Sequence, residues 1–418
     1  MKRVLLASAT PGSSAALPVF HPTRHGSILL RPGVKLDEQT LSRLASLGIR
    51  EVWLEADGLD DVGRHVSVKM IDTRAELTEQ LAAEFARLSR DAKAGPRVDP
   101  LKAIIEQLVE QITAAPDTAR WIHEPDLPDQ PMLRNAIFCG IVSMLVGRNL
   151  ESYLVRQRPK LAPSHASDVR GLTLAGLLHD VGLLRVEPHV LQVWRDTGEE
   201  TDVRWRQHVR HGYEMLRDRV EPATAAAVLN HHQRYDGLGF PARLGNRADA
   251  AGIAGTSVHV FSRIIAAADT LDRLRHPIGV EEPVPTVRVL SEMLEGETAR
   301  TLDPVVAAAM ARVVPPFPPG ARVTLSDGRN ATVAGINDAE PCRPPVLIDG
   351  TAISKNKETG CSAAKLLELD EQTKLRITHV DGVSIERDLF RLARYGEQEA
   401  EEPDRKSTRL NSSHVCSS

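Results

Sequence analysis

Residues 231–241 read His231-His232-Gln233-Arg234-Tyr235-Asp236-Gly237-Leu238-Gly239-Phe240-Pro241, and the fold is read outward from this stretch. Adjacent histidines are an odd choice for a core, because each imidazole needs a hydrogen-bond partner or a metal once it leaves water. Neighbours on a helix point about 100° apart, so both rings reach one site only at a helix end wedged against the next loop. Asp236-Gly237-Leu238-Gly239 supplies that end. Upstream, His179-Asp180 closes the apolar run Leu174-Ala175-Gly176-Leu177-Leu178; downstream, Asp269 follows Ile264-Ile265-Ala266-Ala267-Ala268. A carboxylate at the end of such a run is costly to bury without a cation or several donors, and two of them imply a cation. His and Asp without Cys suit iron, manganese or zinc rather than a thiolate-held structural zinc.

Six of the fifteen histidines (His179, His189, His208, His211, His231 and His232) fall in this region, where even scatter would place about 2. Enrichment alone does not choose ligands. A lone His-Asp dipeptide is a weak signal, His189 and His211 read as ordinary surface or satisfied histidines, and Asp272 reads as a surface or capping residue. What carries weight is the order: His179-Asp180, then His208 before Gly212-Tyr213, then the histidine pair with its glycine loop, then Asp269 within a helical pattern.

With 418 residues the chain exceeds the usual ceiling for one core, so two or three domains are expected. The net charge of -4 and pI near 6.4 argue against bulk electrostatic binding to DNA, while a nucleotide ligand stays open. Cys139, Cys342, Cys361 and Cys416 show no paired spacing, which indicates neither a disulfide framework nor a thiolate zinc site. The apolar run after Lys2-Arg3 is too short for a signal peptide, and no run of about 20 apolar residues exists, so a cytoplasmic protein away from the membrane is expected.

The fold class expected is multidomain and mainly α. Residues 1–70 alternate strand-like runs with one helical stretch, Asp37 to Leu47, stopped by Gly48: a small α/β module for packing or dimerisation, which leaves a homodimer open. Residues 71–114 read as connecting helices, with Leu77, Leu81, Phe85 and Leu88 one turn apart and a second amphipathic segment from Leu101 to Ile112. A helical domain spans 115–312, with helices expected at 132–148, 168–184, 202–219, 222–233, 259–274 and 285–312. The prolines from Pro315 to Pro319 with Gly320 read as a stiff linker, and the short strands beyond them, with a hairpin signal at Ser326-Asp327-Gly328-Arg329, as a small β-barrel over 316–395. Residues 396–418 read as a disordered tail.

The ordered set resembles the successive motifs of the HD-GYP family, a branch of the HD metal-dependent phosphohydrolases. The residues that carry it are Leu177 to Gly182 (LLHDVG), His208 to Leu216 (HVRHGYEML), His231 to Pro241, and Arg263 to Leu274 (RIIAAADTLDRL). The likeness spans about residues 130–280. It implies an HD-type helical bundle holding one or two divalent ions, iron or manganese, that hydrolyses cyclic di-GMP in bacterial signalling. It further implies that Asp180 bridges two metals and is the central catalytic residue, that His208, His231 and His232 complete one metal, and that His179 and Asp269 hold the other. Such a metal pair lowers the pKa of water and neutralises charge at phosphorus, so no protein nucleophile is needed.

On the same resemblance, Asp236, Gly237, Gly239, Phe240 and Pro241 form the family's eponymous loop, with Phe240 where tyrosine is usual, and the glycines would let backbone approach the nucleotide. Arg234 and Arg275 are candidate phosphate contacts. Three positions depart from the family. Asn135 stands where its first histidine is expected and would be a weaker oxygen ligand; Leu183 replaces a lysine, and Gln233 a glutamate. Two functions of different class follow: a phosphodiesterase on cyclic di-GMP or a related dinucleotide, or a degenerate module that binds the nucleotide or a partner such as a GGDEF-type cyclase. A generic HD nucleotide phosphohydrolase ranks third.

Overall fold

A computed structural model describes the chain apart from residues 25, 57–58, 60–61, 63–65, 92, 117–126, 128–129, 243–252, 281, 350–353, 356–361, 364–365, 371 and 393–418. The tail expected at 396–418 and the cysteines at 361 and 416 lie outside the described residues.

The amino-terminal module pairs β1 (Lys2–Leu5) antiparallel with β4 (Glu51–Leu54), and β2 (Val19–Phe20) with β3 (Ile28–Leu30). Between them runs α1 (Glu38–Ser46), started by the Asp37 side chain accepting from the Thr40 N–H at 2.7 Å and ended before Gly48, whose φ of 82° only glycine adopts readily. Leu6, Leu36, Leu44, Ile49, Val52 and Leu54 form its own small core.

Two long amphipathic helices follow, α2 (Val68–Arg90) and α3 (Val98–Ala114), each presenting leucines and isoleucines to one continuous interior. At its centre lies α4 (Pro131–Asn149), opened by a proline at its first turn and buried on nearly every side, as an all-round apolar helix must be. It packs most closely against α5 (Arg170–Leu178). Around this pair stand α6 (Pro188–Thr197), α7 (His208–Leu216), α8 (Pro222–Asn230), α9 (Val260–Arg275), α10 (Thr286–Glu295) and α11 (Pro304–Val313).

Several expected helices prove shorter. The stretch 168–184 ends as α-helix at Leu178 and continues as a 3-10 turn over Val181–Arg185; 202–219 breaks at Gln207; 222–233 stops at Asn230. The span 285–312 divides in two because Pro304 cannot continue a helix and the Asp303 side chain caps a new one, accepting from Val305 N–H at 2.9 Å. Three of these breaks put His179-Asp180, His208 and His231 at helix ends, where their side chains can converge.

The carboxyl-terminal strands β5 (Arg322–Leu325), β6 (Asn330–Val333), β7 (Val346–Ile348), β8 (Ile377–Val380) and β9 (Val383–Ser384) form a sheet in the order β9-β8-β5-β6-β7. Among the described residues the strands do not close into a ring: β9 lies at one edge, β7 bridges onward from Val346 to Leu367, and the expected barrel is seen only as a five-stranded antiparallel sheet. The proline-rich segment is not a free linker: Phe317 is buried, and the Gly320 N–H donates to the Val333 carbonyl at 2.8 Å. Core residues run without interruption from the helices into the sheet, and the Arg3 guanidinium meets Asp381 Oδ2 at 2.5 Å, joining the first strand to the last. Among the described residues no helix is long and apolar enough to cross a membrane.

Candidate metal centre

Three histidines are built in the same way. Nδ1 of His179 lies 2.8 Å from the Gly176 carbonyl, Nδ1 of His208 2.8 Å from that of Trp205, and Nδ1 of His231 2.7 Å from that of Val228, in each case three residues back. A carbonyl can only accept, so Nδ1 carries a proton and Nε2 is the nitrogen whose lone pair each ring offers when neutral. All three Nε2 atoms are buried without a hydrogen-bond partner, and so is Asp180 Oδ1. Backbone-held imidazoles with the other nitrogen free are how proteins orient metal ligands.

These bare atoms face one another. Asp180 Oδ1 lies 3.3 Å from His208 Nε2 and 3.4 Å from His231 Nε2, and Asp180 Oδ2 lies 3.6 Å from His179 Nε2, which is 3.7 Å from Asp269 Oδ1. Ligand atoms of Asp180, His208, His231 and His232 lie within 4.8 Å of one another, and so do those of Cys139, His179 and Asp269. One carboxylate therefore fronts both groups, with one oxygen for each. The six residues Asp180, His179, His208, His231, His232 and Asp269, taken from four separate stretches of sequence, come together.

The electrostatics favour a cation. Burial draws the His208 pKa down to about 4, and burial with the adjacent imidazoles takes His232 well below its usual value, so both rings are neutral lone-pair donors near pH 7. Burial also opposes charge on His179, but the Asp180 and Asp269 carboxylates outweigh it and raise its pKa to about 9. Desolvation works against ionised Asp180, yet the surrounding imidazoles hold its pKa well below the carboxylate range. The donor set fits a divalent metal pair of the nitrogen-and-oxygen type. Cys139 was not read as part of this region. Burial, then the carboxylates of Asp269, Asp272 and Asp180, push its thiol pKa up, which makes it the poorest donor of the seven.

The geometry around Asp180 depends on Gly182. A Cβ there would stand 1.9 Å from the His208 carbonyl oxygen and 2.5 Å from the Gly212 nitrogen, so only glycine lets α7 approach closely enough to set His208 against Asp180. Gly239 plays a related part, since its Cβ would meet the His232 carbonyl at 2.3 Å and the Arg234 nitrogen at 2.4 Å. This glycine folds the 236–241 loop back on the histidine pair. The Gln233 amide locks the loop, donating to the Pro241 carbonyl at 2.7 Å and accepting from Ile253 N–H at 3.1 Å.

Other expected positions behave differently. Asn135 donates its amide nitrogen to Asp269 Oδ1 at 3.1 Å and to Asp272 Oδ2 at 3.0 Å, which tethers a candidate ligand, while its amide oxygen, the atom expected to ligate, is buried without a hydrogen-bond partner. Asp272 is buried, not superficial, and it also faces Arg134 at 3.4 Å and His276 Nδ1 at 3.9 Å. Arg234 turns onto its own loop, bonding Asp236 at 3.0 and 2.5 Å, and Arg275 bonds the Thr286 hydroxyl. An arginine set against a candidate ligand is Arg273, 3.4 Å from Asp269 Oδ2, a position with no distinguishing local pattern. Phe240 stacks on His232 with centroids 4.5 Å apart, under the Arg206 guanidinium at 4.8 Å and beside buried Trp205. Leu183 joins Val186, Val190 and Trp205 in an apolar cluster against this ring. His189 is exposed, as expected.

Comparison with known proteins agrees with this geometry. The family described as HD domain matches residues 148–306. Over 382 residues, 82% of this chain and 86% of the relative, the sequence is 26% identical to Cyclic di-GMP phosphodiesterase PA4108 of Pseudomonas aeruginosa. It is 31% identical over 149 residues, 35% of this chain and 36% of the relative, to Cyclic di-GMP phosphodiesterase response regulator RpfG of Xanthomonas campestris pv. campestris. It is 25% identical over 164 residues, 38% of this chain and 27% of the relative, to 3'3'-cGAMP-specific phosphodiesterase 2 of Vibrio cholerae. With the ordered His-Asp and His-His motifs brought together around Asp180, residues 148–306 match the HD domain, and the chain is similar to proteins of its HD-GYP branch.

Proposed function

We propose that the protein is a metal-dependent phosphodiesterase that opens cyclic di-GMP or a related cyclic dinucleotide. The observation that carries this reading is the ring of buried, unpartnered His179, His208 and His231 Nε2 atoms around the two oxygens of Asp180. Two relatives named as cyclic di-GMP phosphodiesterases and one named as a 3'3'-cGAMP phosphodiesterase supply the substrate class. When bound, divalent ions supply water of lowered pKa and neutralise charge on the phosphoryl oxygens.

The chain's own residues do the rest. Asp180, with His208, His231 and His232 beside one oxygen and His179 with Asp269 near the other, would hold the divalent ions between these groups; iron or manganese suits this donor set. The carbonyls of Gly176, Trp205 and Val228 hold the rings in their donor tautomer, so no rotamer is searched for when metal arrives. Trp205, Phe240 and Leu183 exclude water from one side of the centre.

A receptor reading, in which the centre binds the dinucleotide without hydrolysis and signals to a GGDEF-type partner or through a homodimer, draws support from Asn135 being a tether for Asp269. Metal analysis of purified protein together with an assay on cyclic di-GMP decides between them. We expect bound metal and turnover with added Mn2+, and Asp180→Asn should reduce both by more than the ~10–100-fold that loss of a mere supporting partner costs. Full metal load with tight binding and no turnover selects the receptor; binding of neither metal nor dinucleotide overturns the proposal.

A further inference from the structure

The segment between α6 and the short helix Val203–Arg206 forms a partly exposed strap tied to α9 through Glu200. Its Glu200 is fastened at both ends. The Glu200 carbonyl accepts from Arg206 Nε at 2.6 Å, and Arg206 in turn lies over Phe240. The Glu200 carboxylate forms an ion pair with Nη2 of Arg273 on α9, while Nη1 of the same guanidinium reaches Asp269 Oδ2 at only 3.4 Å. Arg273 thus divides its fork between a candidate metal ligand one helical turn away and a glutamate from a surface strap.

That arrangement makes little sense as a stabilising device. The two side chains remain 41% and 26% exposed, and pairs of that kind add little to stability. It makes better sense as a held position. A planar fork bonds two oxygens of a phosphate as it bonds a carboxylate, and a phosphodiester arriving beside Asp269 would present such oxygens with the same sign of charge. Exchange of Glu200 for phosphate conserves the number of charge-assisted bonds. Asp269 keeps the guanidinium aimed meanwhile. Leu183, packed in the apolar cluster, and Arg234 and Arg275, engaged with Asp236 and Thr286, leave this task to Arg273.

We propose that Arg273 binds the scissile phosphate at this centre and that Glu200 occupies it until substrate displaces the carboxylate. The assignment rests on the phosphodiesterase reading above. It is tested on the full chain loaded with Mn2+, by metal content per chain and by kcat and KM for cyclic di-GMP. Arg273→Gln should keep the native metal content and lose roughly 10- to 100-fold in kcat/KM, the scale of one bond to a charged group; Arg273→Lys should recover part of it. Glu200→Gln should lower KM. Metal lost in step with turnover in Arg273→Gln makes the guanidinium a prop for Asp269 and overturns the assignment, as does unchanged kcat/KM; a raised KM in Glu200→Gln removes the exchange. If the native metal-loaded protein neither binds nor cleaves the dinucleotide, the phosphodiesterase reading falls and takes this one with it. If the native protein is active and Arg273→Gln matches it, this assignment alone falls.

Discussion

Replacing Asn135 by alanine tests what this residue does in the centre, because the two roles open to it change stability with opposite dependence on metal. Its amide nitrogen donates to two buried carboxylates, Asp269 and Asp272, which sit one turn apart on the same helix. Hydrogen bonds to charged groups contribute ~1.5–3 kcal/mol each. Arg273 and Arg134 remain 3.4 Å from the two carboxylates, so the lower end applies and the metal-free variant should lose about 3 kcal/mol. That is a large part of the ~5–15 kcal/mol that holds a typical domain. Added Mn2+ supplies Asp269 with a counter-charge, so the difference from the native protein should shrink. Were Asn135 itself a ligand, the variant would gain less from metal and the difference would grow. Urea unfolding in chelator and in Mn2+, followed by tryptophan fluorescence, reads the sign directly, since Trp205 lies 4.6 Å from His208. A loss below about 0.5 kcal/mol in chelator, within the range of an ordinary surface substitution, would refute the tether.

Gly182→Ala drives a Cβ to 1.9 Å from a backbone oxygen, so it should exceed the ~1–3 kcal/mol usual for overpacking and reduce metal content by separating His208 from Asp180; native melting and native metal load would contradict the packing argument. Asp303→Ala breaks the buried ion pair with Arg263, to which Tyr153 also bonds at 2.8 Å, and should cost ~3–5 kcal/mol in thermal or urea unfolding while the folded protein keeps its metal. Proton uptake gives a third check. With its pKa raised from 6.5 to about 9, His179 stabilises the metal-free fold fully below pH 6.5 and loses that contribution as pH rises through 9. Burial lowers His208 to about 4, so its contribution is present above pH 6.5 and is lost as pH falls through 4. Loading metal at pH 7 should therefore release the His179 proton, as measured by calorimetry in buffers of different ionisation enthalpy. Release of none would contradict the charged His179.

Much of the site was legible because its chemistry is local in sequence. The helix breaks that expose ligands are written as Asp180-Val181-Gly182, as Gln207 before His208, and as the histidine pair before a glycine loop, and each is a signal of cost: imidazoles or carboxylates at the end of apolar runs. Six ligand candidates converge as those signals indicate. The tethering by Asn135 and the places of Arg273, Asp272 and Cys139 are not legible in the sequence because they are set by the crossing of α4 with α5 and α9. At that crossing a donor, a cation and a second carboxylate meet Asp269 from residues with no distinguishing local pattern. The same holds for the fold. Periodicity located the helices but ran past their ends, since a 3-10 turn such as Val181–Arg185 preserves apolar spacing while changing direction.

The barrel expected at the carboxyl end is seen only as an antiparallel sheet for a related reason. Strand signals fix how many short strands alternate, but closure depends on whether the outermost strands can meet, and among the described residues no pairing joins β7 to β9. What the sheet does instead is visible in its contacts. Its apolar face extends the helical core through Phe317, Val323, Leu325 and Val346, and residues of the amino-terminal module pack near Ala334 and Leu347. Arg288 on α10 also bonds Asp388 at 2.9 Å. The two flanking regions thus hold each other as well as the helices, and the Asp303 cap of α11 is in turn paired with Arg263 of α9, the helix that carries Asp269.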